Sequence, residues 1–327
     1  IRNGLVVDGT GAPGFVADVG IRDGRIVAVG TVEESGTTEL DSTGLVVAPG
    51  VIDPHTHYDA QLFWDPTASP SNVHGVTTVI AGNCGFTLAP IKAEDHDYIR
   101  RMMAKVEGMP LVALEDGIEW DWTTFGEYLD RLEGNLGVNA GFLVGHCAIR
   151  RWVMGADRAD QVASDEELAA MTALLAESIE AGGLGFSSSQ SRTHSDGDGN
   201  PITSRHADRR EMLAFCEVVR DHPGTTLEYI TNGCLDTFSD DEIDLMATMS
   251  ATARRPLNWN LLTVDSRTPD KTARQLEASR AAERAGGKIV ALTMPTLVPM
   301  NMSFRNHCAL FLIPGWGRSE ERRVGKE

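Results

Sequence analysis

Two different patterns of apolar and polar positions divide the chain near residue 50. In the first part, short apolar runs are separated by glycines, and Asp23-Gly24 is a strong hairpin signal. The runs predict five strands, at Leu5–Val7, Val16–Ile21, Ile26–Val29, Thr38–Leu40 and Leu45–Val47. We therefore predict a small all-β unit over residues 1–50.

From residue 51 onwards, apolar runs alternate with helical patterns. Capping boxes predict helices that begin after Ser164 and Ser239. Strands that alternate with helices indicate βα units and a parallel sheet, and seven units in one run favour a closed (β/α)8 TIM-type barrel over an open sheet. The predicted strands are Val51-Ile52, Val76–Ala81, Ala140–Val144, Leu184–Ser187, Thr225–Ile230, Leu257–Leu262 and Lys288–Leu292. We expect the eighth strand of the barrel to be missing from this chain.

The remaining segments set the expected domain limits. We assign residues 51–317 to the barrel, with an insertion at about 91–128 that is rich in Met, Trp and acidic residues. Residues 318–327 (RSEERRVGKE) resemble a translated sequencing adapter, so we expect a non-native tail there. We expect the chain to be truncated at both ends. Because a barrel without its eighth strand has two unpaired edges, we expect this chain by itself to be inactive and poorly stable.

Composition excludes some classes of partner. The formal net charge is −18, which argues against nucleic acid or an anionic membrane as a partner. The sequence has no apolar run long enough to span a membrane. The five cysteines are scattered and odd in number, so we expect no disulfide framework and a cytoplasmic location.

A pair of histidines follows the first predicted barrel strand. His55 and His57 are two residues apart, so on an extended segment both side chains point the same way. Barrel enzymes carry their chemistry at this end of the strands. Two imidazoles side by side suit a divalent metal ion, most often Zn²⁺. The sequence therefore predicts a metal site with one or two ions.

Three motifs resemble one enzyme superfamily. Gly50–Asp59 (GVIDPHTHYD) resembles the first-strand signature of the amidohydrolase superfamily. Gly75–Gly85 (GVTTVIAGNCG) and Val144–Arg150 (VGHCAIR) resemble the second- and third-strand motifs of its N-acyl-D-amino-acid deacylase (D-aminoacylase) branch. The resemblance implies that residues 1–50 form a small β-sandwich.

The same resemblance implies roles for individual residues. His55 and His57 match the first-strand metal ligands. Cys84 matches the cysteine that this branch uses in place of a carboxylated lysine, and the fourth strand, ending in Ser187-Ser188-Ser189, offers no lysine. Further residues are expected to support the ligands or contact substrate: Asp53, Asp59, Asn83, His146, Arg150 and His194. Asp53 and Asp59 are expected to orient imidazole N–H groups, and Arg150, Arg192 or Arg205 to bind a substrate carboxylate.

The chain also departs from the superfamily pattern. Histidines are expected at the ends of the fifth and sixth strands, but these positions read Glu228–Asn232 (EYITN) and Asn258–Asn260 (NWN). The catalytic aspartate expected after strand eight lies beyond the end of the chain. The catalytic residue is therefore unknown.

The resemblance implies a metal-dependent hydrolase of non-peptide C–N bonds that deacylates N-acyl (D-)amino acids through a metal-activated water. A small-molecule amide is then the expected partner. One alternative is a cyclic-amide hydrolase of the dihydroorotase or hydantoinase kind. That class would require a metal-bridging lysine, which this chain lacks at the end of the fourth strand. Another alternative is a catalytically degenerate assembly protein, because the histidines expected at the ends of the fifth and sixth strands are absent. The acyl group, side-chain preference, chirality and oligomeric state are left open by the sequence.

Overall fold

The computed structural model describes residues 1–294. Its first four strands form one mixed sheet in the order β3-β2-β1-β4. They are β1 (Gly4–Val6), β2 (Phe15–Arg22), β3 (Arg25–Gly30) and β4 (Val46–Val47). Asp23 and Gly24 both have positive φ, which the tight turn between β2 and β3 requires. A second sheet facing this one is not among the described residues, so the β-sandwich stays a prediction.

The prediction of a strand at Thr38–Leu40 is wrong. This stretch of the chain wraps around the side chain of Arg2 and makes no ladder of its own. The Arg2 guanidinium pairs with Asp18 and Glu39 and also donates to the Val32 carbonyl. These bonds give the loop's polar groups partners without a neighbouring strand.

The eight remaining strands are all paired in parallel. β5 (Val51–Asp53), β6 (Val76–Ala81) and β7 (Asn139–Phe142) form one sheet. The second sheet contains β8 (Val144–Gly145), β9 (Gly185–Ser189), β10 (Thr226–Ile230), β11 (Pro256–Leu262) and β12 (Lys288–Thr293). The third predicted strand is divided at Leu143, because β7 pairs with β6 whereas β8 pairs with β9. This segment therefore connects the two sheets into one succession.

Eight helices accompany these strands in the described residues. They are α1 (His96–Val106), α2 (Leu111–Asp116), α3 (Phe125–Leu132), α4 (His146–Met154), α5 (Asp165–Glu180), α6 (Arg209–Asp221), α7 (Asp240–Ala253) and α8 (Pro269–Arg284). Capping boxes at Ser164 and Ser239 begin α5 and α7. The predicted insertion at 91–128 contains α1, α2 and the start of α3. No helix among residues 1–294 is both long and apolar enough to cross a membrane.

Alternation along β9 to β11 separates an aromatic face from a polar face. Tyr229 lies beside Trp259 in the register, and Trp259 packs on Phe238 at a ring distance of 4.7 Å. The alternate positions carry Glu228 beside Asn258. Because successive side chains point to opposite faces, the polar groups gather on the face away from the helices.

A cavity of about 530 Å³ lies between β5 and β12, the first and last of the described parallel strands. Its walls include Val51 and Ile52 of β5 on one side and Leu292 and Thr293 of β12 on the other. No hydrogen bonds between β5 and β12 occur within residues 1–294. The expected closing strand and the predicted tail at 318–327 lie outside the described residues, so closure of the barrel stays a prediction.

Candidate metal centre

The three residues predicted as metal ligands meet at the carboxyl end of the parallel strands. His55 and His57 follow directly after β5, and Cys84 follows β6. One donor atom from each residue lies within 4.8 Å of the other two. The Sγ of Cys84 is 3.6 Å from Nε2 of His55, and the two imidazole rings are 5.3 Å apart. The side chains thus form one compact group of nitrogen and sulfur donors.

A tight turn after β6 directs Cys84 towards the histidines. Gly82, Cys84 and Gly85 have φ values of 75°, 57° and 76°, all in the left-handed region. A Cβ atom on Gly82 would lie 2.2 Å from the carbonyl oxygen of Leu143, so only glycine fits there. The positive φ of Cys84 is uncommon for a non-glycine residue and costs about 1–3 kcal/mol. Such strain is typical of functional positions.

Two polar side chains hold this turn against the histidine segment. The buried carboxylate of Asp59 accepts a hydrogen bond from the Gly82 N–H at 3.2 Å. The amide of Asn83 donates to the carbonyls of Thr56 and Ile80, at 3.1 and 3.0 Å. Asn83 therefore links the segment that carries His55 and His57 to the turn that carries Cys84.

The expected contact of Asp53 and Asp59 with the imidazoles is wrong. Asp53 accepts instead from the backbone N–H of His55 at 3.3 Å, and Asp59 is turned to Gly82. The Nδ1 atoms of His55 and His57 are buried without a hydrogen-bond partner in the described part of the chain. Both aspartates thus position backbone atoms and not imidazole rings.

The electrostatics of the cluster suit a cation. Burial lowers the pKa of His55 to about 3, helped by the neighbouring His57, and lowers that of His57 to about 4. Both imidazoles are therefore neutral at pH 7 and offer lone pairs. Burial also raises the pKa of the Cys84 thiol, and a bound metal would reverse that shift by favouring the thiolate. Unpartnered buried nitrogens beside a sulfur donor fit a first-row divalent ion such as Zn²⁺.

Two carboxylates that we did not predict flank the cluster. Glu228, on β10, is 2% exposed, and its Oε2 accepts from the backbone N–H of Cys84 at 2.7 Å. Glu107, just after α1, places Oε1 3.5 Å from Nε2 of His57. Burial raises the pKa of each carboxyl to about 8. A charged residue inside the apolar strand β10 was a visible signal for Glu228, whereas nothing near Glu107 in the sequence pointed to His57.

The model of the Amidohydrolase family matches residues 38–319. The chain belongs to the amidohydrolase family.

Similarity to individual relatives indicates the branch of the family to which this amidohydrolase is related. An uncharacterized protein of Mycobacterium tuberculosis is 40% identical over 240 residues, covering 70% of this chain and 39% of the relative. The N-acyl-D-aspartate deacylase of Alcaligenes xylosoxydans is 39% identical over 226 residues, covering 68% and 41%. A solved structure of D-aminoacylase, described as having a binuclear metal centre, superposes with a TM-score of 0.70 at 29% identity, covering 90% and 58%. The resemblance to the D-aminoacylase branch is confirmed, and the chain spans about two fifths of the length of the curated relatives.

On another side of the amidohydrolase centre lie His194 and Arg205. His194 hydrogen-bonds through Nδ1 to Ser189 at 2.8 Å, and its ring lies 5.0 Å from that of Phe86. Burial lowers the pKa of His194 to about 3, and the charges of His57, His55 and Arg205 contribute to the shift. Burial also lowers the pKa of Arg205, and no carboxylate within residues 1–294 offsets this shift.

The expected roles of His146 and Arg150 are wrong. His146 begins α4, and its ring packs among the helices, 4.9 Å from the ring of Phe215. Its Nε2 lies 2.6 Å from the carboxylate of Glu211 on α6, and Arg150 pairs with the same carboxylate. Both side chains are fully buried in this pairing, so neither is free to contact metal or substrate.

Proposed function

We propose that this chain is the metal-binding part of a hydrolase of non-peptide C–N bonds that deacylates N-acyl D-amino acids. The observation that carries the proposal is the group formed by His55, His57 and Cys84 at the carboxyl ends of parallel strands. Similarity to N-acyl-D-aspartate deacylase and D-aminoacylase supports this substrate class. We further propose that residues 51–317 belong to a (β/α)8-type barrel that lacks its eighth strand in this chain and carries the site, and that residues 1–50 form a β-sandwich.

The proposed chemistry assigns separate tasks to the side chains. His55 and His57 hold the metal through neutral imidazoles, and Cys84 holds it through sulfur. A bound Zn²⁺ supplies a lowered pKa for water and polarisation of the amide carbonyl. In the metal-free protein, burial raises the pKa of the Glu107 carboxyl to about 8, and a bound cation would lower it towards neutral pH. A group with such a pKa beside the cluster suits proton transfer to the leaving nitrogen.

We assign the substrate carboxylate to Arg205. A guanidinium matches a carboxylate with two parallel hydrogen bonds, and the Arg205 side chain is half-buried near His194. The neutral His194 offers a further hydrogen-bonding group on the same side. This arrangement favours a substrate with a free carboxylate next to the scissile amide, as in an N-acyl amino acid.

A cyclic-amide hydrolase is less well supported. That class requires a metal-bridging lysine at the end of the fourth strand. This chain has Ser187, Ser188 and Ser189 there, and all three are fully buried. A degenerate assembly protein is also less well supported. Within residues 1–294, Nδ1 of His55 and Nδ1 of His57 are buried without hydrogen-bond partners, which is costly unless a ligand uses them.

The test is a substrate panel with the zinc-loaded full-length protein that contains this chain. N-acetyl-D-aspartate, N-acetyl-D-leucine, their L forms and dihydroorotate are incubated with the protein, and release of amine or ring opening is measured. We expect hydrolysis of at least one D substrate, and a loss of about 100-fold or more in kcat/KM for His57→Ala. Hydrolysis of dihydroorotate alone, or of none of these compounds, would contradict the proposal.

A further inference from the structure

Among residues 1–294, the buried carboxyl of Glu228 has no lysine or arginine side chain as a partner. Its strand neighbours Leu227, Tyr229 and Ile230 are buried apolar residues, and Glu228 itself is 2% exposed. A buried carboxylate is costly unless it is paired with a cation or well hydrogen-bonded. The only short hydrogen bond it receives in this part of the chain comes from the backbone N–H of Cys84 to Oε2.

The second carboxylate oxygen points into the donor cluster. Oε1 of Glu228 lies 3.9 Å from Nδ1 of His55 and 4.0 Å from Sγ of Cys84. Ligand atoms around a tetrahedral zinc ion, with bonds of about 2.0–2.3 Å, lie about 3.3–3.8 Å from one another. Oε1 is therefore within a few tenths of an ångström of ligand spacing from Sγ of Cys84. It is equally near Nδ1 of His55, the ring nitrogen that has no hydrogen-bond partner in the described residues.

We propose that Glu228 is itself a ligand of the metal, alongside His55, His57 and Cys84. Its carboxylate and the Cys84 thiolate together supply two negative charges, which balance those of a divalent cation. Asn260 supports this arrangement, because its amide Nδ2 lies 3.6 Å from Sγ of Cys84 and donates to the sulfur. The inference rests on the proposed function only for the presence of a metal, not for the substrate.

Glu107 is the competing carboxylate. It approaches one member of the cluster, His57, whereas Glu228 approaches two. Glu107 lies in the loop after α1, and Glu228 lies in a strand paired on both sides. Glu228 is also fixed by the bond from Cys84, so its position is the better determined of the two.

Metal binding of Glu228→Gln, Glu228→His and Glu107→Gln, measured without substrate, tests the assignment. Glutamine keeps the size of the side chain and an oxygen that can accept from Cys84, and histidine restores a zinc ligand. Co²⁺ affinity is measured by titration, and the ligand set by the visible absorption of the Co²⁺ protein. We expect Glu228→Gln to weaken Co²⁺ binding by about 100-fold or more, since even residues that only contact ligands cost about 10–100-fold.

The other two variants are expected to keep more of the metal affinity than Glu228→Gln does. Glu228→His should keep tight binding with a changed Co²⁺ spectrum. Glu107→Gln should keep the spectrum and lose less affinity than Glu228→Gln, because Glu107 contacts a ligand without being one. Normal affinity and spectrum in Glu228→Gln, or a loss confined to Glu107→Gln, would overturn the proposal. If Glu228→Gln melts early, Glu228→His decides, because an unchanged spectrum or lost binding in it overturns the assignment.

The metal-binding measurements and the substrate panel test different proposals, so one can fail while the other holds. A protein that binds metal through Glu228 but hydrolyses no N-acyl amino acid contradicts the proposed function and leaves this inference standing. A protein that deacylates N-acyl amino acids, and whose Glu228→Gln variant binds metal normally, supports the proposed function and contradicts the assignment of Glu228 as a ligand.

Discussion

The backbone N–H of Cys84 donates to Oε2 of Glu228 at 2.7 Å, across 144 positions of sequence. This bond joins the turn after β6 to the middle of β10. The positions of the sulfur donor and of the buried carboxylate are therefore linked even before a metal binds.

The bond predicts a difference between two substitutions at Glu228 in metal-free protein. Glu228→Ala leaves the Cys84 N–H buried without an acceptor, which costs about 1–3 kcal/mol in the free energy of unfolding. Glu228→Gln retains an acceptor and should cost less. Urea unfolding in the presence of a chelator measures both, and equal losses would show that this bond does not stabilise the fold.

The turn at Gly82 predicts a strongly position-dependent effect of adding a methyl group. Gly82 and Gly134 have the same φ of 75°, but only at Gly82 would a Cβ meet the Leu143 carbonyl; at Gly134 it meets nothing within 4 Å. Gly134→Ala should therefore cost only the left-handed backbone strain, about 1–2 kcal/mol. Gly82→Ala should cost about 3 kcal/mol or more and weaken metal binding, because the turn carries Cys84. Similar losses in chemical unfolding would contradict the close approach.

The buried pairing of Glu211 predicts a large loss of stability. Its carboxylate receives Arg150 and His146 while fully buried, so Glu211→Ala leaves an uncompensated cation and should cost about 3–5 kcal/mol. The exposed pair of Asp165 with Arg210 is the control, and Asp165→Ala should change stability by about 1 kcal/mol or less. A small effect of Glu211→Ala would show that this pairing is not formed.

The capping box of α5 predicts a pH-dependent contribution. Arg158 and the backbone N–H of Ser164 lower the pKa of Glu167 from 4.5 to about 2. Because the folded-state pKa is depressed, its contribution is present above about pH 4.5 and is lost as pH falls towards 2. Glu167→Gln should cost about 1 kcal/mol or less at pH 7, as its pairing is near the surface. The gap between the two proteins in unfolding free energy should narrow below pH 4.5, and a constant gap would contradict the ionic origin.

Local patterns predicted much of this molecule, and long-range contacts account for what they missed. The order of the parallel strands and the helix starts at Ser164 and Ser239 follow from periodicity and capping, and both agree with the structure. The cluster of His55, His57 and Cys84 was predicted from motifs that end neighbouring strands, and these side chains do come together.

The remaining features depend on contacts that no local pattern encodes. Glu107 reaches His57 from a loop 50 positions away, through the packing of the helical insertion. His146 and Arg150 were assigned to the wrong surroundings because the third strand is divided at Leu143, and α4 then begins at His146 and carries both side chains to Glu211. The sequence signal for the carboxyl beside the cluster was an acidic residue within the apolar strand β10, not a histidine at its end.

Zinc titration of the chelator-treated full-length protein tests most directly whether His55, His57 and Cys84 hold the catalytic metal. The measured quantity is hydrolysis of an N-acyl-D-amino acid as a function of zinc added per chain, in the wild-type protein and in Cys84→Ala. The account predicts no activity without metal, recovery that saturates at one or two equivalents, and little recovery in Cys84→Ala. Full activity in the metal-free protein, or the same recovery in Cys84→Ala as in the wild type, would contradict it.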